Sequence, residues 1–243
     1  MGGRTALNLD CRIVSPKELS DLQIRQMFLL MEKNYIGVET DTFYNDLYTK
    51  TKIFLFSKDK TIHGFTSLKL DSIEWKKKKI QVSYSGDTVL AKEFRGSLSI
   101  PIHWGRYMLR ISQDQTPLYW LLTSKGFRTY RYLSVFFKDF IPNPNTNNTE
   151  LKELREYIAI QTFGSDYHSD KGILRRSRNL QTIRDVASDK NYIAKTKDSY
   201  IKFFGEHNPN YHQGDEMVCL AKFDKSNIIP FIYRYLISDQ NVS

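Results

Sequence analysis

Apolar residues along this chain recur with two periods, and the points where one gives way to the other mark its elements. Ser15-Pro16-Lys17-Glu18 joins a hydroxyl N-cap, a proline at the first helical position and a glutamate at the third, the signature of a helix start. Ile24, Met27, Phe28, Met31 and Tyr35 then fall at helical spacing and give one apolar face. Residues 41–48 predict a second, short helix. Residues 53–56 and 62–70 read as strands joined by the polar turn Ser57-Lys58-Asp59-Lys60. A longer strand follows over 80–90. With period two, Ile80, Val82, Tyr84, Gly86, Thr88 and Leu90 share one face, while Gln81, Ser83, Ser85 and Asp87 share the other. A strand covered on both faces should be apolar on both. The polar row therefore implies water, a hydrogen-bond network or a substrate cleft.

Next come an Arg-Gly turn, a helix, a strand from Leu118, and a helix whose apolar face is marked by Leu133, Phe136, Phe137 and Phe140. Beyond Phe140 the chain changes character, beginning with a Pro/Asn-rich connector over 141–148. Thr149 reads as an N-cap, with Lys152 where a capping box would place Glu, and Leu151, Leu154, Ile158 and Gln161 form a modest apolar face. Residues 164–178 read as a loop, 191–204 as a helix, 205–214 as turns and 217–223 as a strand. The apolar run 228–237, interrupted by Arg234, closes the pattern. No internal repeat is visible. Residues 1–243 suit a single domain, with a core over 1–142 and a C-terminal elaboration over 143–243.

Composition narrows the classes. Forty per cent hydrophobic and 14% aromatic residues suffice for a packed core. Cys11 and Cys219 are too few and too far apart to imply a disulfide framework or a zinc site, so no metal is expected. The N-terminus lacks the apolar region of a secretory signal, and no apolar run reaches membrane-spanning length, so a cytoplasmic protein is expected. A net charge of +9 would attract nucleic acid, an anionic membrane, a phosphorylated cofactor or an acidic protein. The basic clusters Lys76-Lys77-Lys78-Lys79 and Arg175, Arg176 and Arg178 are accounted for as solvated loops, the first at a turn entering a strand. Nucleic acid is disfavoured, because zinc spacing, an RNP-like motif and a basic helix are all missing.

Residues 79–140 are the most informative stretch. A strand that ends on a charged loop and Arg95-Gly96, followed at once by a helix, builds an anion site: the helix N-terminus offers unpaired N–H groups, and glycine permits close approach. The arrangement resembles the acyl-donor site of the GNAT superfamily of N-acyltransferases. In that family the end of the fourth strand and a glycine-containing turn hold the pantetheine and pyrophosphate of acyl-CoA. Aligned on Gly96, the family pattern Gln/Arg-x-x-Gly-x-Gly/Ala meets Glu93-Phe94-Arg95-Gly96-Ser97-Leu98. Gly96 matches, Glu93 and Leu98 depart, and Pro101 removes a backbone donor from the next helix. His63-Gly64-Phe65-Thr66-Ser67-Leu68 resembles the family's third strand, and 118–127 its fifth strand and the turn beyond, so the resemblance covers 11–140.

The resemblance implies an α/β fold with a mixed, mostly antiparallel sheet flanked by helices. It implies donor contacts at Val89, Leu90, Ala91, Arg95, Gly96, Ser97, Leu98 and Ser99, with acyl-CoA or acetyl-CoA as donor. The departures at Glu93 and Leu98, together with the basic surface, leave an acyl group on an acidic carrier protein as the alternative donor. Transfer to an amine requires the amine to lose a proton and the leaving thiolate to gain one. Asp87 is the candidate base. A tyrosine on the helix after the fifth strand often protonates the thiolate in this family, which points to Tyr130 and Tyr132; Ser124, Lys125 and His103 are weaker candidates. The acceptor is an amine-bearing small molecule, peptide or protein. A non-catalytic scaffold of the same fold, binding a ligand or partner, and a basic nucleic-acid-binding protein are the competing readings.

Overall fold

The computed structural model of the chain describes residues 9–94, 97–112, 116–177, 181–184 and 186–238, the side chains of 186–188 excepted. Edge strand β1 (Asp10–Val14) leads into a single 3-10 turn at Pro16–Glu18. There the Ser15 amide donates to the Glu18 carboxylate at 2.6 Å, so the start signal at Ser15 opens only this turn. The long helix α1 (Asp21–Asn34) begins at a second box, in which the Ser20 and Gln23 side chains each accept from the other's amide. Tyr35 leaves the helical face to start β2 (Tyr35–Ile36). There follow α2 (Thr40–Tyr48), β3 (Lys52–Lys58), β4 (Thr61–Trp75) and β5 (Lys78–Leu90). Lys76 and Lys77, both with positive φ, make the tight β4–β5 turn, the role expected of this lysine run.

The chain continues with α3 (Ser99–Ile111), β6 (Leu118–Ser124) and α4 (Phe127–Phe136). Helix α4 stops at Phe136 because Phe137 is extended, and Phe137 and Phe140 enter the core from the connector instead. The C-terminal part holds α5 (Thr149–Phe163), β7 (Tyr167–His168), β8 (Ile173–Leu174), β9 (Thr182–Ile183), α6 (Val186–Lys195), α7 (Ser199–His207), β10 (Glu216–Lys222) and α8 (Pro230–Ser238). Asn148, not Thr149, caps α5, accepting from the Leu151 amide at 3.0 Å. The single helix expected over 191–204 is two, separated where the Asp198 side chain caps α7. The segment read as a loop over 164–178 contains β7 and β8.

Eight strands form one sheet in the order β1-β3-β4-β5-β6-β10-β8-β7. Every pairing is antiparallel except that of β5 with β6. The strand expected at 217–223 is β10, inserted beside β6. One face is covered by α3, α4, α7 and α8 over a core containing Phe54, Phe56, Trp104, Trp120, Tyr130, Leu133, Phe204 and Cys219. The other face carries two separate packs. Ile24, Met27, Phe43 and Leu47 of α1 and α2 close over Ile53, Leu55 and Phe65. Leu151, Leu154 and Ile158 of α5 close over Leu121, Val218 and Leu220. Among the described residues no helix is long and apolar enough to cross a membrane.

Candidate functional site

The two helical packs leave a gap over the middle of the sheet, and the sheet itself parts there. Strands β5 and β6 pair in parallel from Gln81 with Leu118 to Ser85 with Leu122, and then stop. Strand β5 runs on to Leu90 and β6 to Ser124, so the two form a fork. At the fork β5 carries a bulge: Thr66 pairs with Thr88 and Leu68 with Ser85, which sets Gly86 and Asp87 against Ser67 alone. A cleft of about 1400 Å³ passes through the fork. Its lining joins Asp46, Lys50, Tyr84 and Phe163 on one side to Leu90, Ser97, Ile100 and Tyr132 on the other.

The bulge overturns the period-two assignment of β5. One extra residue reverses the alternation, so Val89 packs with Phe43 and Phe65 on the side where Ile80 and Val82 also point. Asp87 therefore shares a face with Tyr84 rather than with Ser83 and Ser85. Those two serines are buried on the opposite side as a hydrogen-bond network, Ser83 donating to the Tyr119 carbonyl at 3.1 Å and Ser85 accepting from Trp120 Nε1 at 2.9 Å. A Cβ at Gly86 would lie 2.7 Å from Ser67 Oγ and 3.1 Å from Lys50 Nζ, so those side chains would have to shift to admit one.

Around Asp87 stands a set of charged groups of which the sequence had offered only Lys125 as a candidate. Lys50 is buried, paired with Asp46 at 2.7 Å, and its ammonium sits 5.7 Å from the centre of the Tyr84 ring. Asp87 itself makes no hydrogen bond or ion pair with the described residues. Burial raises its pKa above the usual carboxylate range and Asp46 adds to the rise, with Lys50 and Lys125 opposing. Glu216 at the start of β10 behaves in the opposite way. Burial works to raise it, but Lys125 at 3.6 Å, Arg176 at 3.1 Å and the Thr123 hydroxyl outweigh burial and hold it below its usual range. Two cleft carboxyls are thus set apart in proton affinity. Lys50, Arg176 and Glu216 were missed as site residues because of chain distance: with Asp87 and Lys125 they come from five separate segments.

The remaining candidates divide. Tyr132 lines the cleft, and burial raises its pKa. Tyr130 does not line it; its ring lies in the core and its hydroxyl donates to the Pro142 carbonyl at 3.0 Å. Val89, Leu90 and Ser97 line the cleft, whereas Ala91, Leu98 and Ser99 are not among its lining residues. The Ala91 amide donates to the His63 carbonyl at 2.7 Å, so by antiparallel alternation the N–H and C=O of Leu90 face the fork. Leu98 is exposed, and the Ser99 amide donates to Ser97 Oγ at 3.2 Å. With Pro101 two residues on, the first turn of α3 has few donors left for a phosphate. Arg95 and Gly96 lie outside the described residues. Lys125 lines the cleft, Ser124 donates to the Gly126 carbonyl, and His103 packs edge-on against Phe56.

No protein-family model matches the sequence, and no curated protein matches it. Solved structures do. A conserved protein of unknown function from Enterococcus faecalis V583 is 13% identical, with a TM-score of 0.42 over 54% of this chain and 33% of that one. A GCN5-related N-acetyltransferase from Kribbella flavida is 14% identical, with a TM-score of 0.40 over 56% and 35%. A GNAT-family N-acetyltransferase from Escherichia coli in complex with CoA is 11% identical, with a TM-score of 0.39 over 56% and 72%. The chain thus spans about a third of the length of the first two. The fold that the sequence resemblance implied, a mixed, mostly antiparallel sheet with helices on both faces, is the one found; the sheet parts where its parallel pair, β5 with β6, ends beside the bulge between β4 and β5.

Proposed function

We propose that this protein is an acyltransferase that moves an acyl group from the thioester of acyl-CoA to an amine. The observation that carries the reading is the fork: a cleft that crosses the sheet at the Gly86–Asp87 bulge, with a carboxyl of raised pKa on one side and a tyrosine on the other. The residues present suit the pantetheine arm better than the pyrophosphate. Leu90 offers an edge of unpaired backbone and the cleft walls include Ile100 and Tyr132, while the first turn of α3 is depleted of donors.

When bound, acyl-CoA supplies an electrophilic thioester carbonyl. Backbone N–H groups at the end of β5 polarise that carbonyl. Asp87, as carboxylate, accepts the proton that the attacking amine sheds, directly or through one water, and Lys50 and Lys125 keep enough of it ionised to do so. Tyr132 gives its proton to the departing sulfur, and burial keeps that phenol protonated until the thiolate forms. The two sides of the fork thus keep base and acid apart, with the carbonyl between them.

The test is turnover with acetyl-CoA and longer acyl-CoA over a panel of amines, followed by release of free thiol, alongside thermal unfolding with donor alone. Thiol release that needs an amine is expected, as is donor-dependent protection. Protection without turnover would reassign the chain as a non-catalytic binding scaffold, and neither would remove the donor site altogether. Acyl-carrier protein belongs in the panel at low and high salt, since a salt-sensitive preference for it would change the donor.

A further inference from the structure

The acyl-accepting side of the cleft holds a pair of cations arranged to receive an anion. Glu216 is buried, and its Oε1 is the partner of both Arg176 and Lys125. Arg176 reaches it through Nε alone, which leaves both terminal amino groups of the guanidinium without a partner among the described residues. Lys125 is paired with Glu216 at 3.6 Å, with its ammonium 5.8 Å from the centre of the Tyr35 ring, and it makes no hydrogen bond with the described residues. One buried carboxylate therefore orients two cations and neutralises only one of them. The cations stay accessible: the side chains are 36% exposed for Arg176 and 17% for Lys125, and both line the cleft. The bias extends further, because eight basic side chains line the cleft against five acidic ones.

Asp87 lies within electrostatic reach of Lys125 and Glu216 on the same side of the sheet. A molecule with its amine at Asp87 could place a second, negatively charged group on Arg176 and Lys125. We propose that the acceptor is a small primary amine that also carries an anionic group, a carboxylate or a phosphate, read by the free guanidinium donors of Arg176 and by Lys125. Arg176 and Lys125 are then the residues that set acceptor specificity. A planar guanidinium with both terminal nitrogens free suits the two oxygens of either anion, and a fixed Glu216 spares the ligand the cost of ordering it. This inference rests on the acyltransferase reading for the word acceptor, but not for the anion pocket itself.

The experiment uses the full chain, acetyl-CoA, and two matched pairs: glycine with glycinamide, and O-phosphoethanolamine with ethanolamine. The buffer contains neither phosphate nor sulfate. Comparing the pairs separates carboxylate from phosphate. At least one anionic member should exceed its neutral partner in kcat/KM by about tenfold or more, the scale at which a charged contact discriminates. Arg176→Gln should collapse that ratio towards unity, through KM rather than kcat, and Arg176→Lys should restore part of it. Neutral members used equally well, or an unchanged ratio in Arg176→Gln of matched melting temperature, overturns the proposal. Where no amine is acylated at all, calorimetry without donor decides. An anionic amine that binds the natural chain and not Arg176→Gln upholds the anion pocket while the transferase reading fails. Equal binding to both, or to neither, overturns the pocket as well.

Discussion

Asp87 has no partner among the described residues, whereas Lys50, Lys125, Arg176 and Glu216 near it are all paired, and that isolation has a measurable cost. Burial and Asp46 raise its pKa above the ordinary value of 3.8, so between that value and the raised one the folded chain holds a proton that the unfolded chain has lost. Stability must then fall as pH rises through this window. Asp87→Asn removes the cost, so at neutral pH it should raise the melting temperature while abolishing turnover, with the stability gain vanishing below about pH 3.8. Melting curves of both proteins across pH check this, and a variant that is less stable at neutral pH would remove Asp87 as a strained carboxylate. The tyrosines separate in a similar way. Tyr132→Phe should lower kcat roughly 10²-fold, the lower range for a lost general acid. Tyr130→Phe should leave kcat alone and cost about 1 kcal/mol, because it strips the Pro142 carbonyl of its donor inside the core. Steady-state kinetics and denaturant melts on the two variants distinguish them.

Among the elements, β5 shows both the reach of sequence reading and its limit. Its existence, length and place beside the helix α3 were legible, because apolar residues recur along 80–90 and a turn follows. So were α1, α2, the β3–β4 pair and β10. Its bulge was not. A bulge leaves no mark in a period-two count, and here it moved Asp87 to the opposite face from Ser83 and Ser85, which form the hydrogen-bond network that was one of the readings of the polar row. Helix ends were misread where a cap competes with a better one nearby: Ser15 with Ser20, Thr149 with Asn148. The two-residue strands β7 and β8 are too short to carry a period. The bulge also yields a test of its own. Gly86→Ala would press a methyl against Ser67 Oγ and the buried Lys50, so it should cost about 1–3 kcal/mol, the range for overpacking a filled site. It should also cut turnover by displacing Asp87. Full activity with unchanged stability would mean that the bulge positions nothing.

For the whole molecule, the question is whether residues 143–243 are an appendage or part of one folding unit. Strand β10 lies against β6 through six successive residue pairs, and Ile141 bridges to Leu220, so the C-terminal part supplies the strand that pairs with that edge of β6. It also supplies Glu216 and Arg176 to the cleft and α5 to one of the three cores. Removing it would expose Trp120, Leu121 and Leu122 on an unpaired strand, an aggregation-prone edge. The two parts should therefore unfold together. Trp75, Trp104 and Trp120 all belong to residues 1–142, so tryptophan fluorescence reports the first part, whereas helical circular dichroism draws on both parts in nearly equal measure, α1 to α4 in the first and α5 to α8 in the second. Coincident transitions by the two probes in urea, with one midpoint and one slope, are the expected outcome of a single cooperative unit. Loss of only part of the helical signal, well before the fluorescence changes, would divide the chain near the connector at 141–148. It would also mean that the cleft, with Glu216 gone, exists only while the C-terminal part stays docked.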